Sequence, residues 1–544
     1  MLSLAHRLGI TTRRAFWLAT TSALLATHAI NANAIPTQIP GDLDLSFAGG
    51  TGVIASLAVG GGSVDHLTSM ALQPDGKLVL AGYCNGPANL DFCAARLMPD
   101  GSLDPTFIGP NGNGSGKVIF DVGNASDFVS AVAVQPDGKI VMAGSCSNGS
   151  NSDFCLARLN IDGSFDTSFN GPGGAGSGKF LVPIGASDDY ITAMVLQPDG
   201  KIVVVGYCFV GGINNFCTAR LTVNGSLDAS FAGPGGNGGG KFIFAVGSSN
   251  DYALAVARHS SGEIVIAGGC VSAMSDVDFC VARLTASGAF DTRFDGPSAA
   301  SNGKFLLPVG TLDDQVGVVI VQPDDKIVLV GRCQESVTNT DFCAVRLNFF
   351  GSLDTTFVGP SGVGGGKFLL PITASKSDAA TALAIQPDGK LLISGFCDNG
   401  SNKDFCVARL HMDGSLDASF DGPGGVSNGK FLLPIGSGND VVNAMLLQPD
   451  GKIVLGGECS GVGGTHFCVA RLYGGPFGYK NCTMDIDGDG KVLPTTDGLL
   501  FTRIALGITG SAALAGAIAP TATRNTWVKV RDYLVNQCGM AVAP

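Results

Sequence analysis

Glutamate is almost missing from this chain. Glu263, Glu335 and Glu458 are the three in 544 residues, against 42 aspartates. Aspartate bonds its own backbone in turns and caps, whereas glutamate favours helices, so the acidity reflects turn chemistry. Charge of either sign is scarce at 14%, and 33 Lys and Arg fall short of 45 Asp and Glu, for a net charge of −12. The basic face that nucleic-acid binding needs is therefore absent. Histidine is rare too. Past the N-terminal stretch only His66, His259, His411 and His466 occur, and there is no Gly-x-Ser-x-Gly elbow or zinc motif. With 42 aspartates a pair of carboxylates arises by chance, so the chain is expected not to be an enzyme. Past the N-terminus no run of 18 or more apolar residues occurs, and Gly and Thr interrupt the nearest, 504–520, so no membrane span is expected. Glycine, 80 of 544 residues or about 15%, is far below the one-third of collagen and suits many tight turns.

What is present is one phrase written seven times. It runs QPDGK, an apolar stretch, Cys, a polar loop, DFC, ARL and DGSLDxSF. The anchor falls at Gln73, Gln135, Gln197, His259, Gln322, Gln386 and Gln448, in steps of 62, 62, 62, 63, 64 and 62 residues, and the fourth copy is degenerate (His259-Ser260-Ser261-Gly262). A fixed period of this size signals a repeat architecture. Each repeat holds four strand-like runs, in the second copy 128–134, 140–146, 154–159 and 179–183, with turn signals such as Pro-Asp-Gly between them. Runs such as IVMAG and IVVVG are apolar throughout, which implies burial on both faces. Small four-stranded sheets covered on both sides are propeller blades. After Arg471-Leu472 the seventh copy lacks its last loop and strand, while the chain begins with that piece, 43–47 and then 53–59. An all-β, seven-bladed propeller closed by the N-terminal strand is expected, leaving no open sheet edge.

Fourteen of the 16 cysteines form seven pairs nine or ten residues apart: Cys84/Cys93, Cys146/Cys155, Cys208/Cys217, Cys270/Cys280, Cys333/Cys343, Cys397/Cys406 and Cys459/Cys468. One member ends a strand and the other begins the next, so the two are expected to face each other across a hairpin and form a disulfide. Each would close a loop of about 10 residues and contribute roughly 2.5–3 kcal/mol on chain-entropy grounds. The N-terminus reads as an export signal. Arg7, Arg13 and Arg14 precede an apolar stretch, and Ala32-Asn33-Ala34 offers a cleavage pattern. Residues 12–16 also resemble a twin-arginine signal, and both routes stay open. Export to the periplasm, cell surface or medium would let the disulfides persist.

The units AVAVQPDGKIVMAG, DFCLARL and DGSFDTSF resemble the delta-60 repeat family of bacterial proteins over residues 42–473. That resemblance implies a propeller and a secreted or surface setting, and no defined activity. The paired cysteines depart from the bare motif.

Three polar positions recur in nearly every copy. Aspartate precedes the first strand at Asp65, Asp127, Asp189, Asp251, Asp314, Asp378 and Asp440. The residue two before the second Cys is Asp91, Asp153, Asn215, Asp278, Asp341, Asp404 or His466. The arginine of ARL is Arg96, Arg158, Arg220, Arg283, Arg346, Arg409 or Arg471. Such uniformity points to structural pairing rather than a ligand ring. The variable loops between paired cysteines are the better binding candidates. Loops ending in Gly-Lys (116–117, 178–179, 240–241, 366–367) lack the Ser or Thr and the helix of a phosphate loop.

Beyond Tyr473 the character changes. Asp485, Asp487 and Asp489, then Gly490 and Lys491, match the opening of an EF-hand-type calcium loop. Position 12 is Thr496, with Asp497 one further on, so a loop one residue longer would let Asp497 close the set, with Lys491 giving its carbonyl. Residues 485–507 resemble a dockerin type I segment, which implies calcium and a cohesin partner. Only one such segment is recognisable, which puts the partner in doubt. Cys482 and Cys538 bracket this module and are expected to pair.

The resulting expectation is an export signal (1–34), a seven-bladed propeller (35–475) and a small α-helical, dockerin-like calcium-binding module (476–544). The chain would be a monomeric, non-enzymatic protein binding a glycan or surface protein through a propeller face. The alternatives are a surface-display protein anchored by its C-terminal module and a polysaccharide-active propeller enzyme.

Overall fold

The computed structural model describes residues 39–475 and 485–534, apart from 111, 113–114, 175, 237–238, 298–301, 364, 374–375, 424–427, 462, 490 and 506–507. The expected signal segment and Cys482 and Cys538 lie outside the described residues.

Twenty-eight strands form seven antiparallel four-stranded sheets. The protein is an all-β, seven-bladed propeller. Blades one to six occupy 65–120, 127–182, 189–244, 251–307, 314–370 and 378–433, each with its strands in chain order. The seventh sheet joins three strands of 440–472 to Val53–Leu57, which pairs antiparallel with Gly464–Leu472. The second strand of each blade is buried almost throughout, as in Ile140–Ser147. That is why it reads as a continuous apolar run: neighbouring blades cover both of its faces.

Every first strand carries a β-bulge at its fourth residue, which is skipped in the ladder to the second strand: Thr68, Ser130, Thr192, Leu254, Gly317, Thr381 or Asn443. The freed residue reaches the next blade. Thr68, Ser130 and Thr192 hydroxyls donate to the carbonyls of Val129, Ile191 and Ala253 at 2.9, 2.7 and 2.8 Å, and Asn443 Nδ2 donates to Leu67 O at 2.8 Å. Opposite each bulge stands a glycine. A Cβ on Gly206 would overlap the Tyr190 carbonyl, so the close approach of the two strands requires it.

All seven expected disulfides are present: Cys84–Cys93, Cys146–Cys155, Cys208–Cys217, Cys270–Cys280, Cys333–Cys343, Cys397–Cys406 and Cys459–Cys468, with Cα–Cα distances of 5.7–5.9 Å. Their geometry corrects one expectation, that the two members of a pair face each other across the hairpin. The first members, Cys84, Cys146, Cys208, Cys270, Cys333, Cys397 and Cys459, lie opposite Asp91, Asp153, Asn215, Asp278, Asp341, Asp404 and His466. The second members, Cys93, Cys155, Cys217, Cys280, Cys343, Cys406 and Cys468, lie opposite Gly82, Gly144, Gly206, Gly268, Gly331, Gly395 and Gly457. Each bridge therefore runs diagonally, to the residue two beyond the direct partner. The physical reason is that side chains two apart share one face of a strand, so the diagonal neighbour still points the right way. All fourteen cysteines are buried.

The described C-terminal residues contain three short helices, Asp497–Ala505, Gly510–Leu514 and Trp527–Asp532. They share a small apolar cluster that includes Ile486, Leu500, Val530 and Leu534. Among the described residues no helix is long and apolar enough to cross a membrane.

Candidate functional site

The arginine ring and the ring of strand-opening aspartates are structural. In blade two, Arg158 Nε bonds Asp166 Oδ2 at 2.7 Å, and its guanidinium carbon lies 4.3 Å above the Phe169 ring. Its Nη1 reaches forward to the Val223 carbonyl of the next blade at 2.5 Å. The same unit joins Arg471 to Asp44, at 2.7 Å, and to Phe47, at 4.5 Å, so residues 43–47 supply the seventh blade with its missing DGSLDxSF partners. In blade four Glu263 stands where other copies have lysine, and Arg293 restores the lost positive charge by pairing with both Glu263 and Asp291. The aspartates that open each first strand accept backbone N–H groups from the preceding loop, as Asp127 does from Val122 and Gly123 at 2.6 and 2.9 Å. The Gly-Lys lysines bond carbonyls of the preceding blade, such as Lys117 to Ala58 at 2.6 Å.

The symmetry breaks at two positions with uniform neighbours. One follows the opening Asp of the first strand; the other precedes the first Cys. They are cross-strand partners: His66–Tyr83, Phe128–Ser145, Tyr190–Tyr207, Tyr252–Gly269, Gln315–Arg332, Ala379–Phe396 and Val441–Glu458. Because first strands line the channel, these pairs ring its mouth. Aromatic side chains gather on blades one to four. Ring centroids lie 4.7 Å apart for His66–Tyr83, 5.0 Å for Tyr83–Phe128, 5.2 Å for Tyr190–Tyr207 and 5.0 Å for Tyr207–Tyr252. Such tilted and edge-on arrangements are favourable aromatic contacts. Blade five instead presents Gln315 and an exposed Arg332, and neither side chain bonds another described residue. His66 Nδ1 is hydrogen-bonded to Glu458 across the junction of blades one and seven. Burial, with the nearby Glu458 charge, pushes the Tyr83 phenol up.

A cavity of about 560 Å³ runs from this mouth down to the bulge residues. Its floor is uneven: Leu254 and Gly317 replace the hydroxyl-bearing bulge residues in blades four and five. The inter-cysteine hairpins stand at the same end of the blades, since Cys84 pairs across from Asp65 and the hairpin turns beyond it. The mouth residues were missed when the sequence was read for loops. Their signal was there as two variable columns, each with uniform neighbours.

In the C-terminal segment, Asp485, Asp487 and Asp489 present carboxylate oxygens within 4.8 Å of one another. Asp487 is fully buried. Burial, with the Asp497 and Asp489 charges, raises its pKa above the usual carboxylate range. Asp497 is not in this cluster of three. Its carboxylate accepts the backbone N–H groups of Ile486, Asp487 and Leu493 at 2.5, 3.1 and 2.9 Å. Burial would raise the Asp497 pKa, but those bonds outweigh it and hold it low. Lys491 donates its N–H to Asp489 Oδ1 at 2.8 Å.

The Domain of unknown function (DUF5122) beta-propeller model matches residues 73–107, 135–169, 197–231, 259–294, 322–357, 386–420 and 448–472. No curated protein matches the chain. Solved structures of similar architecture include Sqt1 of Chaetomium thermophilum, at 14% identity over 74% of this chain and 82% of that one, TM-score 0.37. A glucose dehydrogenase shares 11% identity over 77% and 98%, TM-score 0.37. A PL25 ulvan lyase bound to -[GlcA(1-4)Rha3S]- shares 9% over 78% and 96%, TM-score 0.43. Likeness at this level assigns this chain no activity. It does correct the expectation of a non-enzymatic chain, since enzymes occur among these propellers. The scarcity of Glu and His was a weak ground for that expectation, because folding brings His66 and Glu458 together from 392 residues apart. One repeat match in every blade makes this chain a propeller repeat protein.

Proposed function

We propose that this is an exported propeller that binds a glycan or protein partner through the face carrying the channel mouth and the inter-cysteine hairpins. The observation that carries the reading is where the symmetry breaks. The channel-mouth positions differ from blade to blade, while the positions beside them in each strand repeat. A scaffold conserves what holds blades together and varies what meets a partner. Seven disulfides suit an oxidising compartment. The pairing of Val53–Leu57 with the last strand supports closure of the ring by the N-terminal segment.

We propose further that residues 476–544 form a calcium-binding module. Three clustered carboxylates are a hard, all-oxygen donor set of the kind calcium prefers. Asp485, Asp487 and Asp489 would hold the ion, with the Lys491 carbonyl and Asp497 as the remaining groups. A bound cation would neutralise mutual repulsion among these acids. The test is a pull-down from cell-envelope and extracellular extracts with residues 35–544 and with a version ending at Gly475, each with calcium and with EDTA. A partner kept by both versions places binding on the propeller. A partner lost on truncation or with EDTA places it on the C-terminal module and overturns the propeller reading.

A further inference from the structure

We propose that the channel mouth is a saccharide site, and that its ligand is an uncharged hexose-based chain. This rests on the reading that the propeller binds through this face, and it names the ligand class.

The aromatic arc is the first argument. Tyr83 packs on Phe128, and both line the open cavity; Tyr190, Tyr207 and Tyr252 form a second run of touching rings at the same strand positions of the next two blades. Four of the seven tyrosines in the chain stand there. Nothing in the repeat requires them, because Ala379 and Val441 serve at the same position in other blades. Pyranose rings present a face of C–H bonds that packs on an aromatic ring, and a rigid aromatic orders at little entropic cost.

The second argument is the polar set opposite the arc. The Gln315 amide and Arg332 guanidinium are planar groups able to make paired hydrogen bonds, and neither is engaged by another described residue. Glu458 and His66 offer a further pair beside Tyr83. Paired donors and acceptors of this kind match vicinal hydroxyls. A mainly apolar cavity with a few convergent polar groups is the usual form of a small-ligand site.

Charge decides between ligand classes. Buried aspartates open the first strand of every blade one residue before the mouth position, and the whole chain carries −12. A polyanion would be repelled, with Arg332 alone to offset it. A cationic peptide would be drawn to the aspartates but would meet Arg332 on the open side. An uncharged sugar chain incurs neither penalty. Leu254 and Gly317 give the cavity lining no hydroxyl on blades four and five, where Gln315 and Arg332 supply the polar groups instead.

The experiment titrates residues 35–544 by calorimetry with cellohexaose, maltohexaose, mannohexaose and chitohexaose, with hexagalacturonate as the anionic comparison. We expect at least one neutral hexasaccharide to bind and hexagalacturonate to bind more weakly or not at all. Arg332→Ala and Gln315→Ala remove side chains that bond no other described residue, and Phe128→Leu removes one ring that lines the cavity. Circular dichroism checks that each variant is folded. Each variant should weaken binding about tenfold, the usual effect of losing one good contact in a polar site. Leu45→Ala and Val363→Ser, at exposed positions outside the mouth and the hairpins, should leave it unchanged. Failure of all four neutral chains to bind, or affinity indifferent to the three mouth variants, overturns the saccharide site. In that event a partner still captured by the propeller in the pull-down, and lost in Met274→Ser or Val337→Ser at the exposed hairpin tips, leaves the broader face-binding reading standing. Absence of any propeller partner removes both.

Discussion

Replacing Arg158 by alanine should cost about 3 kcal/mol, at the low end of the 3–5 kcal/mol typical of breaking a buried ion pair. Arg158 and Asp166 are both buried, at 4% and 6% exposure. Alanine would strand the Asp166 carboxylate and leave the Val223 carbonyl and the Gln135 amide oxygen without their donor. Two features bound the loss. Lys139 remains 3.0 Å from Asp166 and partly neutralises it. Ser168 still donates its N–H and hydroxyl to the same carboxylate, at 3.0 and 2.7 Å. A propeller of roughly 430 residues has an unfolding entropy near 0.9 kcal/mol/K, so the loss lowers Tm by about 3 °C if the ring melts as one unit. Urea unfolding by far-ultraviolet circular dichroism measures the energy, and calorimetry tests the unit. Tryptophan fluorescence will not serve, because the two tryptophans are Trp17 and Trp527, both outside the propeller. Arg158→Lys should fall between wild type and alanine, keeping charge but losing the fork that reaches Val223. A cost below about 1 kcal/mol for the alanine variant is the scale of an exposed pair and would refute the reasoning.

Other expectations follow from the same geometry. Asp44→Ala should destabilise the ring about as much as Asp166→Ala does, and Leu45→Ala, at an exposed neighbour, should be neutral within ~0.5 kcal/mol; equal effects would deny residues 43–47 their closing role. Gly206→Ala should cost about 1–3 kcal/mol by forcing two strands apart, and an unchanged urea midpoint would show that the close approach is soft. Stability should rise as pH falls from 7 towards about 4. Burial, with neighbouring Asp276 and Asp378 respectively, pushes Asp278 and Asp341 up to about 6, so the folded state binds more protons than the unfolded between those values. Below about 4 the sign reverses. Burial alone would raise Asp104 and Asp228, but side-chain and backbone hydrogen bonds with the Arg96 and Arg220 charges hold them down at about 2, and that stability is lost as they protonate. A flat Tm between pH 7 and 5 would contradict the first half. Calcium should raise the melting temperature reported by Trp527, and Asp487→Asn should abolish the shift; no shift in the wild-type chain sinks the metal assignment.

The blade count, the four strands per blade and the disulfide pairs were all legible in the sequence. Each is a local pattern repeated at a fixed period, and a pattern present seven times is read against itself. The arginine column was visible, but its partner is the second aspartate of DGSLDxSF, as Asp166 is for Arg158, and not a member of either aspartate column read beside it. The diagonal register that sets Cys155 against Gly144 and Cys217 against Gly206 was hidden. Strand spacing tells which residues lie near a hairpin turn but not how the two strands are offset.

The sequence by itself determined the architecture, since binary patterning, turn chemistry and period all act within one repeat. Tertiary structure alone decided which variable positions stand together. Position 66 reads as an isolated histidine and position 458 as an isolated glutamate until ring closure sets them side by side. The same holds for the aromatic contacts between blades, Tyr83–Phe128 and Tyr207–Tyr252, whose rings come from 45 residues apart in the chain and lie 5.0 Å apart in space. A repeat's own physics fixes the blade; only bending seven blades into a circle puts their variable positions around one cavity.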